Sequence, residues 1–246
     1  MRMVKQLILG LAVAMVAAPV CAQTAAPMAA EKTKGFLSLG AGQQFGNQTV
    51  TSVFPVALYG ESGSLTATRT VKGGAFFDGT FGWRFGKKWG VALNASSRTA
   101  PSSGTMTGGV PDPLAYQAPR PVSSTMTSMA HTELAVSPVF VYIVPVWKKL
   151  DLMLLVGPAL IQLKHDLVTS ATVQETNSGP TVTPGIESIS RSFLSFQVGG
   201  DLQYMMTPSL GFGGFVRYES TPANLSPSVK LTLGGVQAGG GVRIRF

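Results

Sequence analysis

The chain has 246 residues, with 19 Lys and Arg against 11 Asp and Glu, 29 Gly and one Cys, and only 12% of it is charged, about half the share of an ordinary soluble domain. The positive charges are scattered along the chain, which argues against a nucleic-acid binder. A single Cys excludes a disulfide framework and a thiolate metal site, and no apolar run long enough for a helical membrane span occurs anywhere.

The first 22 residues read as a secretory signal peptide. Arg2 and Lys5 give a basic start, Leu7 to Ala17 is an apolar run too short to cross a bilayer, and Val20-Cys21-Ala22 offers small residues for cleavage before Gln23. Cleavage there removes the only Cys and leaves 17 of the 19 basic residues against all 11 acidic ones. Gln23 to Lys34, rich in Ala, Pro and Thr, reads as a flexible arm.

From Gly35 the pattern has a period of two, the signature of strands with one apolar face. A first strand covers Gly35 to Gln44, with Leu37, Leu39 and Ala41 opposite Ser38, Gly40, Gly42 and Gln44. An insertion, Phe45 to Lys72, follows; its Thr- and Val-rich ends are expected to prolong the neighbouring strands as a hairpin. The second strand, Gly73 to Gly86, puts Phe77, Phe81, Trp83 and Phe85 on one face and Phe76, Asp78, Thr80 and Arg84 on the other. A tight turn at Gly86-Lys87-Lys88 leads into the third, Trp89 to Arg98, and then comes a loop over Thr99 to Ser128 full of Ser, Thr, Pro and Gly. The fourth strand, His131 to Val146, turns at Trp147-Lys148-Lys149 into the fifth, Leu150 to Val168. A loop over Thr169 to Ser188 precedes the sixth, Ile189 to Met206. Thr207-Pro208-Ser209 turns it into the seventh, Leu210 to Glu219, and the loop Ser220 to Val229 leads to the last strand, Lys230 to Phe246.

Eight strands joined by short turns and longer loops in alternation predict an all-β fold, a closed eight-stranded antiparallel up-and-down transmembrane β-barrel over residues 35–246. The face opposite the apolar one is small (Gly, Ala, Ser) rather than rich in Lys and Glu, so the apolar face is expected to meet lipid and the small polar face to line a narrow lumen. The short turns then lie on the periplasmic side. Trp83, Trp89 and Trp147, all beside short turns, are expected in an aromatic girdle there, with Lys87, Lys88, Lys148 and Lys149 within reach of anionic headgroups.

The same parity puts ten charges inside: Asp78, Glu133, Asp151, Asp201 and Glu219 with Arg84, Arg98, Arg217, Arg243 and Arg245. Charges in so narrow a space must pair or be hydrated. An ion-paired network that plugs the lumen is the main expectation, and a gated pore whose pairs exchange partners is the alternative. His131, Glu133 and His165 fall near the outer ends of adjacent strands, and the turn at Trp147 to Leu150 sets Glu133 opposite His165. Such a group suits a hydrogen-bonded cap at the rim, or zinc binding or acid–base work. No cofactor-binding motif is present: Gly239-Gly240-Gly241 lies within a strand and lacks the Lys-Ser/Thr of a phosphate loop, so it is read as packing space.

Gly241, Ile244 and Phe246 resemble the closing-strand signal of bacterial outer-membrane barrels, although Gly239 stands where that signal usually has a polar residue. The whole chain after the leader resembles small eight-stranded barrels of the OmpA-barrel and OmpX-like kind, and the glycine-rich outer-membrane β-barrel proteins of unassigned role. The resemblance implies an outer-membrane monomer without a cofactor. Its partners would be outer-membrane lipids, the barrel-assembly machinery acting on the last strand, and an extracellular ligand held by the loops. Long loops on a rigid barrel suit a structural or surface-interaction role, with a narrow passive channel for small or hydrophobic solutes as the alternative and a lipid-modifying enzyme third. Lipid A deacylases carry His-x-Ser on a late strand, and Tyr218-Glu219-Ser220 has Glu where the His is needed.

Overall fold

The computed structural model describes residues 34–100, 102–177, 179–226 and 229–246. The expected leader (1–22) and, apart from Lys34, the expected arm (23–34) lie outside the described residues.

Twelve strands run in chain order: β1 Gly35–Phe45, β2 Gln48–Leu58, β3 Glu61–Val71, β4 Ala75–Arg84, β5 Trp89–Thr99, β6 Ser102–Val110, β7 Arg120–Met129, β8 His131–Trp147, β9 Leu150–Thr176, β10 Gly179–Met205, β11 Leu210–Ser226 and β12 Val229–Arg245. Eight of them close a barrel in the order β1-β12-β11-β10-β9-β8-β5-β4. Closure is made by β1, which pairs antiparallel with β12 on one side (Phe36↔Arg245 to Phe45↔Val236) and with β4 on the other (Gly35↔Trp83 to Gln43↔Ala75). Gly241 permits the close approach, since a Cβ there would lie 2.5 Å from Gly40 Cα. The barrel strands are the eight expected from the alternation, with β9, β10 and β11 seven to ten residues longer at the loop end and the other ends shifted by a residue or two.

The connections at one end are more ordered than the sequence suggested. The insertion 45–72 forms the hairpin β2–β3, and the supposed loop 99–128 forms a second hairpin, β6–β7. The two hairpins join through β3 and β6 into one sheet, β2-β3-β6-β7. Residues 169–188 are not a loop either, because β9 and β10 stay paired up to Thr176↔Gly179. Likewise β11 and β12 stay paired up to Ser226↔Val229. An apolar face drives each extension. Leu65, Met106, Val110, Val122, Met126 and Met129 are buried against Val168 and Val182 of the β9–β10 hairpin, and burying each such side chain contributes roughly 1.5–3 kcal/mol.

Faces follow the expected parity. Large apolar side chains such as Phe77, Phe81, Leu93, Phe140, Phe196 and Val216 are exposed on the outside, while Thr80, Asn94, Gln197, Asp201, Arg217 and Arg243 are buried inside. This is the reverse of a water-soluble barrel. Along β9 the outward residues are Leu152, Leu154, Val156, Pro158 and Leu160, then Gln162, Lys164 and Asp166, so the apolar band ends at Leu160 and the rest of the hairpin stands clear of it. Above the band a second apolar layer, with Val50, Ile161, Leu163, Leu225, Leu231 and Leu233 at its centre, lies across the mouth.

Candidate functional site

Two regions carry polar chemistry, the lumen and the junction between the barrel and the outer sheet. In the lumen all ten expected charges face inward, and eight of them form four ion pairs. Nearest the short turns, Arg245 Nη2 lies 2.7 Å from Asp151 Oδ2 and donates to Gln203 Oε1 at 3.0 Å. Next, Arg243 meets both carboxylate oxygens of Asp201, through Nε at 3.1 Å and Nη2 at 2.9 Å. Above it Arg217 pairs with Asp78. Asn94 Nδ2 also donates to that carboxylate at 2.7 Å, and Gln197 Nε2 donates to Asn94 Oδ1 at 3.0 Å. Phe215 lies between two of these cations, with Arg217 4.5 Å and Arg243 5.9 Å from its ring centre. The fourth pair is Arg98 Nη2 with Glu133 Oε1 at 2.7 Å. Buried charges held this way are compensated within the protein.

Among the described residues, Glu219 and Arg84 have no ion-pair partner within 4 Å. Glu219 is buried, with Oε1 making no hydrogen bond, and Arg84 lies over the Phe36 ring at 5.8 Å. Ser220, next to Glu219 on an antiparallel strand, points to the opposite side of the wall, so no Glu–Ser pair forms.

At the upper end the structure brings His131, Glu133 and His165 together, but in a different register from the expected one. Trp147 faces Leu150 at the turn and a bulge between Pro145 and Trp147 shifts β8 against β9 by one residue, so that His131 faces His165 and Glu133 faces Leu163, two residues from the expected pairing. The two rings stand edge to face with Nδ1 to Nδ1 at 2.8 Å, and His131 Nε2 lies 2.7 Å from Glu133 Oε1. Arg69, on the outer sheet, reaches down to complete the row. Its Nη1 lies 3.0 Å from His165 Nε2 and also donates to the Asp166 carbonyl, Nη2 donates to the Ala130 carbonyl at 3.3 Å, and Nε donates to Ser102 Oγ at 2.5 Å.

One proton on each ring satisfies the row, with tautomers assigned from the network. Arg69 donates to His165 Nε2, His165 Nδ1–H donates to His131 Nδ1, and His131 Nε2–H donates to Glu133, which Arg98 also reaches. Every imidazole nitrogen then has a hydrogen-bond partner. His165 and Arg69 lie beyond the apolar band. Burial first, then the charges of Arg69 and His131, push the His165 imidazole down to about 3, and burial lowers the Arg69 guanidinium to about 10. Arg98, His131 and Glu133 also line a recess of 10 Å³ beside Gln44 and Gly234, room for about one water.

Reading the sequence missed Arg69, Asn94, Gln197, Gln44 and Gln237. The last four share the parity of the inward charges, and Gln237 Nε2 donates to Gln44 Oε1 at 3.0 Å. That parity was the available signal. Arg69 carried a fainter one, since it alternates with Leu65, Ala67 and Val71 on the buried face of β3.

Of the closing-strand residues, Gly241 faces Gly40, and Ile244 faces Leu37 and Leu210. Phe246 exchanges backbone hydrogen bonds of 2.8 and 3.0 Å with Gly35 and stacks on Phe81 at 6.3 Å. Trp83, Trp89 and Trp147 are exposed on the outer face at the end of the short turns.

At the far end three hairpin tips meet. Arg120 pairs with Glu175 of the β9–β10 tip and lies 3.7 Å from Asp112. Gln117 N donates to the Glu61 carboxylate of the β2–β3 tip at 3.2 Å. Held between these ties, Leu114 is 95% and Tyr116 79% exposed.

No protein-family model matches the chain, and no curated protein matches it. Solved structures similar to it include the outer-membrane protein OprG of Pseudomonas aeruginosa, at 14% identity over 87% of this chain and 97% of that one, with a TM-score of 0.47. Neisserial surface protein A is similar at 13% identity over 86% and 97%, with a TM-score of 0.40. The outer-membrane protease OmpT of Escherichia coli is similar at 8% identity over 89% and 100%, with a TM-score of 0.36.

Proposed function

We propose that this chain is an integral outer-membrane barrel with a structural and surface-presenting role. Its lumen is an ion-paired core, and its outer sheet and β9–β10 hairpin hold a recognition surface above the membrane. The observation that carries this reading is the tip itself. A Leu and a Tyr are kept almost fully in water while the backbone around them is tied by Arg120, Glu175, Glu61 and Asp112. Apolar side chains on a rigid support are a usual form of recognition surface. The rest of the barrel supports the tip: an apolar exterior seats it in lipid, and the pairs inside leave no unopposed charge except Glu219 and Arg84.

Shortening 112–118 to a tight turn should leave heat-modifiable gel migration unchanged and abolish binding of the full-length protein, displayed on cells, to the surfaces that intact cells adhere to. Unchanged adhesion would refute the role assigned to the tip. A narrow passive channel is the second reading. It is favoured by the buried Ser137 Oγ, Gln197 Oε1, Glu219 Oε1 and Gln237 Oε1, which have no protein partner and invite water. Planar-bilayer recording decides between the two: a quiet membrane supports the core reading, and resolved single-channel steps support the channel.

A further inference from the structure

The charge of the molecule is concentrated at one end. Around the short turns stand Lys34, Arg84, Lys87, Lys88, Lys148, Lys149 and Arg245, with Asp151 as the only acid, whereas the other nine basic and nine acidic residues of 34–246 cancel. Four of these lysines belong to the turns of neighbouring hairpins, because β5 pairs with β8, and β8 runs on from Ile143, level with Lys88, to Trp147 before its own turn at Lys148 and Lys149. Trp89 faces Tyr142, and Ile143 N donates to the Lys88 carbonyl at 2.7 Å, which fixes the β4–β5 turn against β8. All four are exposed. Beneath them on the outer wall is a group of aromatic rings, with Trp89 4.4 Å from Tyr142 and 5.2 Å from Phe140, and Phe85 6.3 Å from Phe140.

We infer that this patch is a binding site for an anionic glycerophospholipid of the inner leaflet, with the phosphate at Lys87 and Lys88, the attraction of Lys148 and Lys149 on the neighbouring turn added to theirs, and the glycerol and upper acyl chains on the Phe85, Trp89, Phe140 and Tyr142 rings. The inference rests on the membrane placement proposed above. The order of the layers fits that ligand: aromatic rings sit where acyl chains give way to headgroups, and compact ammonium groups lie just beyond them, where lipid phosphates are found. No acid on either turn competes for the lysines. A soluble partner would need no aromatic surface turned sideways into the bilayer, so the rings select a lipid over a free polyanion.

The three Trp residues of the chain all lie at this rim and report on the lipid beside them. The mature protein is folded into phosphatidylcholine vesicles containing dibrominated phosphatidylglycerol or dibrominated phosphatidylcholine, and Trp quenching is compared for the wild type and Lys87→Gln/Lys88→Gln/Lys148→Gln/Lys149→Gln. The wild type should favour the anionic lipid about fivefold at low salt, equivalent to ~1 kcal/mol. The preference should fall towards one at high salt and be absent in the variant, whose folding is checked by gel migration. Equal quenching of the wild type by both lipids, or an unchanged preference in the folded variant, would overturn the site. Absence of quenching by either brominated lipid would instead refute the membrane placement.

Discussion

Arg217→Met tests whether the lumen is an ion-paired core. Met keeps most of the aliphatic volume and removes the guanidinium, so the substitution deletes the pair with Asp78, the contact with the Phe215 ring at 4.5 Å and the hydrogen bond to Thr80 Oγ1 at 3.3 Å. Asp78 remains buried, with the Asn94 amide at 2.7 Å as its only charge-stabilising neighbour of those described. Breaking a buried pair from one side costs ~3–5 kcal/mol, a large part of a total stability of ~5–15 kcal/mol. Asp78→Leu combined with Arg217→Met removes both charges and should recover most of that loss, because replacing a whole buried pair with apolar groups is often close to neutral. The assay is urea unfolding in vesicles, followed by Trp fluorescence and by gel migration of the unboiled protein. The coupling energy between the two sites should then exceed ~2 kcal/mol. If each single substitution cost less than ~1 kcal/mol and the two added, both charges would be individually hydrated and the core reading would be wrong.

Acid should loosen the junction between the barrel and the outer sheet. The folded His165 resists protonation until about pH 3 whereas the unfolded one titrates near 6.5, so protons favour the unfolded chain and stability falls as pH drops through this window. The loss is ~2 kcal/mol at pH 5; His165→Asn should flatten this part of the slope in urea midpoints taken between pH 8 and 5, and an unchanged slope would locate the titration elsewhere. Gly239→Leu should impede closure, since a Cβ there would lie 2.8 Å from both the Phe215 ring and Gly42 Cα. The expected loss is ~1–3 kcal/mol with less of the compact gel species, and parent-like folding would mean that the β1–β12 seam has slack.

The membrane part of the fold was legible because alternation survives wherever one face meets a different solvent from the other. Phe77, Phe81, Trp83 and Phe85 against Asp78, Thr80 and Arg84 suffice to orient a strand. The outer part was less legible for two reasons. Residues 102–110 and 120–129 are dense in Gly, Ser, Thr and Pro, which usually mark loops. Their strand signal is confined to a few buried residues such as Met106, Val110, Val122 and Met126. The second reason is that β9 carries a register shift opposite Gly185 and Ile186, where Ser170 and Val168 are paired but Thr169 is not. An extra residue inverts the parity, so a period-two reading ends the strand at Val168 although the ladder continues. The histidine register differs from the expected one by two residues, one from the way Trp147 faces Leu150 at the turn and one from the bulge between Pro145 and Trp147; a shift of two keeps the parity, which is why the residues of the site were found and their pairing was not.

That bulge at Thr169 also explains how one hairpin serves two cores. Below it Leu163 and Leu167, with Ile189 against them, complete the apolar layer across the mouth; beside and above it Val168, Val173 and Val182 pack on the outer sheet. A two-stranded hairpin is marginal by itself, so β2–β3 and β6–β7 depend on each other through β3 and β6 and on β9–β10 for an apolar face to cover. Arg69 makes the dependence polar as well. Its acceptors, the Ala130 and Asp166 carbonyls and His165, are in position only once β8 and β9 have paired in the shifted register. Presentation of Leu114 and Tyr116 at the tip is therefore a consequence of barrel closure, and a lesion in the β8–β9 register should disturb the outer surface without touching it.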